Sequence, residues 1–444
     1  MAKNKSNFVC TVCGADYTKW HGRCLSCDEW NTIVEEVHSS STKKRLAPKS
    51  LSLSSVADEG LIRKKTGIGE FDLVCGGGVV PGSVILLGGE PGIGKSTLSL
   101  QIAERLDALY ITGEESPAQI KQRGDRLGLK GSKTEISVNN EVTDIIHLAE
   151  KLKPGSLIVD SIQTVYFNEI SGIAGSVSQI RESASRLADF AKKSGIPVII
   201  IGHITKDGSI AGPKLLEHIV DTVLYFEGDY SRDFRVLRAF KNRYGSVNEL
   251  GLFSMTSLGL EEVKDKNRIF LNPFRSSSPG NAVSAAVEGS RTILFEVQCL
   301  VTFSSFSNPR RMADGFDLNR LIIISAVLEK HAGLNLNNFD IFINVSGGFN
   351  INETAADLAV AVAIASSLKE KPVDEGAGFI AEISLSGELR PVYQIEKRVQ
   401  EFRYSRFKSL LVSAGDYEKV KTLGFEGTIH GVKSIKEALD IVFD

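Results

Sequence analysis

The stretch SVILLGGEPGIGKSTLSL, residues 83–100, opens on a continuous apolar run, breaks into a glycine-rich turn and closes on a helical pattern. A run without polar alternation must be covered on both faces, as a strand in a parallel sheet is. The turn matches G-x-x-x-x-G-K-[ST]: Gly89, Glu90, Pro91, Gly92, Ile93, Gly94, Lys95 and Ser96, with Thr97 next. A strand before it and a helix after it are the context that gives this motif its meaning. Backbone N–H groups around Gly92 and Gly94 can wrap phosphates, because glycine leaves room for close approach. Lys95 supplies a point charge to the β and γ phosphates, Ser96 a hydroxyl to Mg²⁺, and the helix N-terminus its partial positive charge. ATP and Mg²⁺ are the implied cofactors.

Outward from this loop, ALYITG (108–113), SLIVDS (156–161) and IPVIIIGH (196–203) are further continuous apolar runs. A helical pattern, SVSQIRESASRLADFAKKSG (176–195), lies between the last two. The region from about 60 to 263 therefore reads as an α/β core built on a parallel sheet. Its chemistry belongs at the carboxyl ends of the strands, where α/β ligand sites gather. Asp160 ends one strand and is placed to hold the hydration shell of the metal. Glu114 and Glu115 follow another. Glu114 is the candidate base that orients water, with Glu115 as the alternative. His203 ends a third strand and is a candidate γ-phosphate sensor.

At 444 residues the chain is too long for one ordinary domain. Its net charge of −2 does not announce a nucleic-acid binder, although a ring or groove can concentrate cations on a neutral protein. The apolar runs are too short to span a membrane, and MAKNKSNFVC lacks a secretory core, so a cytosolic protein is expected. Four of the six cysteines, Cys10, Cys13, Cys24 and Cys27, form two C-x2-C knuckles. In a reducing compartment four thiolates at this spacing predict structural Zn²⁺ with no position open for catalysis. Cys75 and Cys299 read as ordinary core residues. The expected domains are a zinc module (1–37), a polar linker (38–59), the ATPase core (60–270) and a second α/β region (271–444).

The cysteine-bearing N-terminus, TGIGEFDLVCGGGVVPGS (66–83), GEPGIGKSTL, GEES, GHITKDGSIAGPKLLEH and KNRYG (241–245) together resemble the RadA (Sms) family of bacterial DNA repair proteins over essentially the whole chain. The resemblance implies a zinc-ribbon-like module, a RecA-like P-loop core and a C-terminal domain similar to the proteolytic domain of Lon. It also implies a ring, expected to be a hexamer, acting on single-stranded and branched DNA beside a RecA-type recombinase. KNRYG is a family signature. RVLRAFKNRYG (235–245) alternates like a strand, so Lys241 and Arg243 should project from one side and reach a neighbouring subunit's phosphates.

Two further expectations follow from the resemblance. Alignment with Lon puts Ala355 at the serine nucleophile and Glu396, next to Lys397, at the lysine, so proteolytic chemistry should be absent. The segment ITKDGSIAGPKLLEH (204–218) carries Lys206 and Lys214, which should track single-stranded DNA in a ring channel. NPRRMADGFDLNR (308–320) offers Arg310, Arg311 and Arg320, either to duplex phosphates or as a solvated loop. Three function classes compete: a DNA motor, an ATP-dependent protease and an ATP-gated scaffold.

Overall fold

The computed structural model describes residues 6–37, 62–129, 132–202, 216–228, 234–247, 249–263, 271, 278–306, 308–346, 350–351 and 353–444. They belong to two compact units, Met1–Glu262 and Val263–Asp444. The expected linker, the expected boundary at 270/271, and His203, Lys206 and Lys214 lie in or beside segments outside the described residues.

The first unit begins with a small antiparallel sheet in the order β2–β1–β3, from β1 (Ser6–Cys10), β2 (Asp16–Tyr17) and β3 (Ile33–Val37). Its core is almost nothing but Cys10, Cys24 and Ile33, too little apolar surface to hold a fold without metal.

A nine-stranded sheet follows. The apolar runs form β4 (Val84–Gly89), β5 (Leu109–Thr112), β7 (Leu157–Asp160) and β8 (Val198–Ile201), each buried along its whole length. Together with β6 (Glu135–Ser137) and β9 (Thr222–Glu227) they pair in parallel, in the order β9–β4–β8–β7–β5–β6. Between strands run α1 (Gly69–Val74), α2 (Lys95–Arg105), α3 (Pro117–Arg126), α4 (Val142–Leu152) and α5 (Val177–Ser194). α5 buries Ile180, Ala184, Leu187 and Ala191, the three- and four-residue spacing of one helix face, and ends at Gly195 with φ 73°.

The sheet is mixed rather than parallel throughout. Beyond β9 it continues as an antiparallel meander of β10 (Phe234–Asn242), β11 (Leu250–Thr256) and β12 (Gly259–Glu262). The connections here are too short for a crossover helix, which leaves antiparallel pairing as the available geometry. β10 begins with the alternation its sequence suggests, burying Arg235, Leu237 and Ala239. Strict continuation would bury Lys241 as well. A bulge between Ala239 and Lys241 shifts the phase instead, so that Asn242 turns into the core and Lys241 does not.

The second unit holds a seven-stranded mixed sheet in the order β15–β16–β14–β13–β17–β20–β21. Its strands are β13 (Asn281–Glu288), β14 (Arg291–Phe303), β15 (Arg311–Asp314), β16 (Phe339–Val345), β17 (Ala377–Ile380), β20 (Ser409–Ser413) and β21 (Thr428–Val432). A separate two-stranded ladder joins β18 (Glu382–Ile383) and β19 (Leu389–Arg390). The helices are α6 (Leu318–Ala332), α7 (Asp357–Lys369), α8 (Ile395–Tyr404), α9 (Ala414–Val420) and α10 (Ile435–Phe443). α7 is buried on every side from Asp357 to Ser366, as a helix apolar all round must be. No helix among the described residues is long and apolar enough to cross a membrane.

Candidate functional site

The phosphate loop leaves the carboxyl end of β4 and turns directly into α2. Gly94 caps the helix with φ 119°, in the left-handed region, and a Cβ there would lie 2.8 Å from Met255 Cε. Lys95 is only 3% exposed, and its ammonium donates to the carbonyls of Gly89 and Glu90, both at 2.8 Å. Burial lowers its pKa to about 8, against the opposing pull of Asp160, Glu114 and Glu90. The lysine is thus folded onto its own loop. Ser96 sits in the first turn of α2, where a hydroxyl can serve a cation held by phosphates.

β5 and β7 lie side by side, so their carboxyl ends deliver acidic residues to one place. The Tyr110 hydroxyl donates to Asp160 Oδ2 at 2.6 Å and lies 3.3 Å from Ser99 Oγ. Burial, with the charge of Asp160 close by, drives the Tyr110 pKa well up, so the hydroxyl keeps its proton and its donor role. Ser161 donates to Glu114 Oε1 at 2.5 Å, which places Glu114 next to Asp160. Glu115 turns the other way and pairs with Arg123 of α3. Between the strand and the glutamates, Gly113 passes so close to Thr164 that a Cβ would sit 1.8 Å from its Oγ1. The carboxylate left open by the sequence is therefore separated by its partners: Glu114 lies in the cluster with Lys95 and Asp160, Glu115 outside it.

Two further residues take part that no motif marks. By sequence Tyr110 reads as one more apolar strand residue, and Arg235 as one cation of an alternating strand. Arg235 is buried, and its Nε donates to Ile93 O at 3.2 Å, so β10 grips the phosphate loop. A buried-phase position occupied by arginine was the available signal.

KNRYG lies elsewhere. β9 runs parallel to β4, and β10 runs antiparallel to β9, so the end of β10 returns to the amino end of β4. Asp221, just before β9, accepts from the Val84 N–H at 3.0 Å and pairs with Arg243 Nη1 at 3.0 Å. Val84 and Gly89 are the two ends of β4, about 17 Å apart at strand rise. Lys241 donates to the carbonyls of Glu217 and Val220 at 2.5 and 2.9 Å. Burial lowers its pKa, Arg243 nearby adds to the effect, and Asp221 and Glu217 oppose it. Both cations thus converge on residues 217–221, Arg243 with 51% of its side chain exposed, while Asn242 points away to Val74 O.

In the zinc module the four cysteine Sγ atoms lie within 4.8 Å of one another, with Cys10–Cys27 at 3.7 Å and Cys13–Cys24 at 3.5 Å. A tetrahedron with Zn–S near 2.3 Å has edges of about 3.8 Å, so the donor set fits zinc.

In the second unit Ala355 is buried, while Glu396 and Lys397 are exposed at the start of α8. Arg398, one residue further, is the inward-pointing cation, bound to both oxygens of Glu353 at 2.6 Å and to Ala285 O. Ser366 and Ser367 accept backbone N–H groups from Gly280 and Val301, both at 2.9 Å. Arg310 pairs with Asp340 at 2.9 Å, Arg311 donates to Phe339 O at 2.7 Å, and Arg320 is held by buried Asp357.

Comparison with known proteins finds three separate family matches along the chain. Residues 8–35 match the family described as rubredoxin metal binding domain, 64–138 that described as KaiC, an ATPase, and 320–416 that described as subunit ChlI of Mg-chelatase. The chain is 46% identical to a DNA repair protein RadA of Bacillus subtilis, over 99% of both chains. It is 44% identical to that of Pseudomonas aeruginosa over the whole of both, and 42% identical to that of Escherichia coli over 99% of both.

Proposed function

The chain belongs to the RadA family of DNA repair proteins, and on that premise we propose that it is an ATP-driven DNA motor whose phosphate site is completed by the neighbouring subunit. The observation that carries this reading is the position of KNRYG. Lys241 and Arg243 stand at the opposite end of the sheet from their own phosphate loop, so the phosphate they serve belongs to another copy. In a head-to-tail ring the same interface repeats, and each subunit gives its cations to the next. The ring, six subunits by family expectation, encloses single-stranded or branched DNA, gripped by Lys206 and Lys214 without regard to sequence, and works beside a RecA-type recombinase.

Within one subunit Lys95 leaves the carbonyls of Gly89 and Glu90 for the β and γ phosphates. Ser96 and Asp160 would hold Mg²⁺ and its hydration shell, and the ion would supply charge neutralisation at the phosphate oxygens. Glu114, steadied by Ser161, orients the attacking water. His203 reports the γ-phosphate to the DNA-facing segment that follows it.

The test uses two variants. Lys95→Ala lacks a working loop but keeps its cations, and Arg243→Ala keeps the loop but lacks one cation. Each homogeneous ring should lose ATP turnover, for Arg243→Ala by about 10³-fold. Arg243→Ala also strips buried Asp221 of its ion-pair partner, so loss of turnover by itself would not separate contact from destabilisation. Exchanged mixtures do separate them: recovery of DNA-stimulated turnover supports the trans reading. A forced monomer that hydrolyses ATP at the ring's rate and loses it on Arg243→Ala would defeat it.

A further inference from the structure

The chain contains two tryptophans, Trp20 and Trp30, and both stand on the zinc module with 59% and 68% of their surface exposed. A side chain this large normally hides most of its ring. The two rings share a neighbour. A Cβ built on Gly22 would lie 3.5 Å from Trp20 Cη2 and 3.9 Å from Trp30 Cζ3, so the indoles flank a residue that contributes no side chain between them.

Their orientation is fixed from within the knuckle. Trp20 Nε1 donates to Ile33 O at 3.2 Å, which satisfies its polar edge without covering the ring. Trp30 pairs across an antiparallel bridge with Arg23, whose guanidinium lies 5.9 Å from the ring centroid. Arg23 is held in turn by Asp28, through Nε to the carbonyl at 2.9 Å and an exposed ion pair at 3.3 Å. Lys19, exposed, precedes Trp20. Two exposed ring faces therefore stand together on a small scaffold whose four cysteines fit zinc, with Arg23 beside one ring and Lys19 next in sequence to the other.

We propose that this face binds single-stranded nucleic acid, with bases stacking on Trp20 and Trp30 and phosphates beside Lys19 and Arg23. Every base has a π-face, so such a platform grips a strand without reading it. Asp28, paired with Arg23, and the exposed Glu29 balance the two cations, so the paired stacking rings rather than net charge select a strand of bases. The proposal rests on the reading of the protein as a DNA-binding ATPase for its choice of ligand.

The experiment uses the full-length, zinc-loaded protein. Because both tryptophans lie in the module, tryptophan emission reports on that face and nowhere else. Anisotropy of a fluorescein-labelled oligo(dT) reports binding anywhere on the chain. The expected result is saturable quenching of emission in step with anisotropy, weakened by salt. Trp30→Ala and Trp20→Ala should each weaken oligo(dT) binding by about tenfold, while Trp30→Phe, which keeps a stacking ring, largely restores it. Zinc content per chain checks that each variant keeps its fold, and the wild-type titration decides the matter even if a variant fails. Unchanged emission at saturating anisotropy overturns this proposal and leaves the DNA-binding reading standing. Failure of both signals defeats both. Emission that responds to a recombinase protein and not to DNA marks a protein-docking face and overturns the proposal as well.

Discussion

At the scale of single residues, Lys95 shows how the site is poised. Burial favours its neutral form and brings the pKa to about 8, with Asp160, Glu114 and Glu90 holding it from falling further. Triphosphate favours the charged form, so the pKa of the complex must lie above that of the free site. Between the two values the complex holds more protons than its separated parts. Nucleotide binding should therefore take up protons above pH 8 and weaken as pH rises from there. Calorimetry of ATP binding in buffers of different ionisation enthalpy measures that uptake directly. Lys95→Arg, which does not titrate in this range, should abolish the pH dependence. The paired glutamates make a second point at this scale. Glu114 and Glu115 are chemically identical neighbours, and only the partners Ser161 and Arg123 tell them apart.

Among the elements, β10 does two things at once. Its first half sends Arg235 to the phosphate loop, and its last residues lead into the KNRYG cations. One strand thus links the nucleotide loop to the KNRYG cations, which the proposed trans contact would present to a neighbour. Arg235→Met keeps the bulk and removes the donors. It leaves the Ile93 carbonyl short of a partner, at about 1–3 kcal/mol of stability. Nucleotide affinity should fall by about tenfold, while the Arg243–Asp221 pair stays intact. Equilibrium binding of a fluorescent ATP analogue, beside a denaturant melt, separates the two effects. The bulge at Ala239/Lys241 belongs here as well. Without that extra residue, the phase of β10 would draw Lys241 toward the core.

For the whole molecule, the question is which parts stand alone. The zinc module has its own sheet and a core made largely of its metal ligands. Cys24→Ser should lose zinc and unfold that module, because a hydroxyl is a poor replacement for a thiolate. The ATPase core, with its own nine-stranded sheet and extensive apolar clusters, should keep its ATP turnover. Metal analysis and ATPase assays on one preparation check both halves of that statement. In the second unit, Ala355 offers no nucleophile, and the inward cation, Arg398, is committed to Glu353. Casein should remain uncut with ATP and DNA present. Proteolysis abolished by Lys95→Ala would overturn that expectation.

The chain by itself determined the elements whose chemistry is local. The phosphate loop needs its glycines and lysine in consecutive order, the knuckles need cysteines two apart, and a strand covered on both faces needs an unbroken apolar run. Each of these is a short-range requirement and is legible residue by residue. Whole-chain likeness added the three-part layout. Tertiary structure decided what depends on residues distant in sequence. Arg235 meets Ile93, and Asp221 joins the start of β4 to Arg243, through contacts that the sheet order creates and no spacing announces. It also turned Arg310 and Arg320 toward buried aspartates, where the sequence showed only a basic loop. The physical reason is the same in each case. A buried charge must find a partner, and which partner comes within reach is a property of the folded sheet rather than of the neighbouring residues.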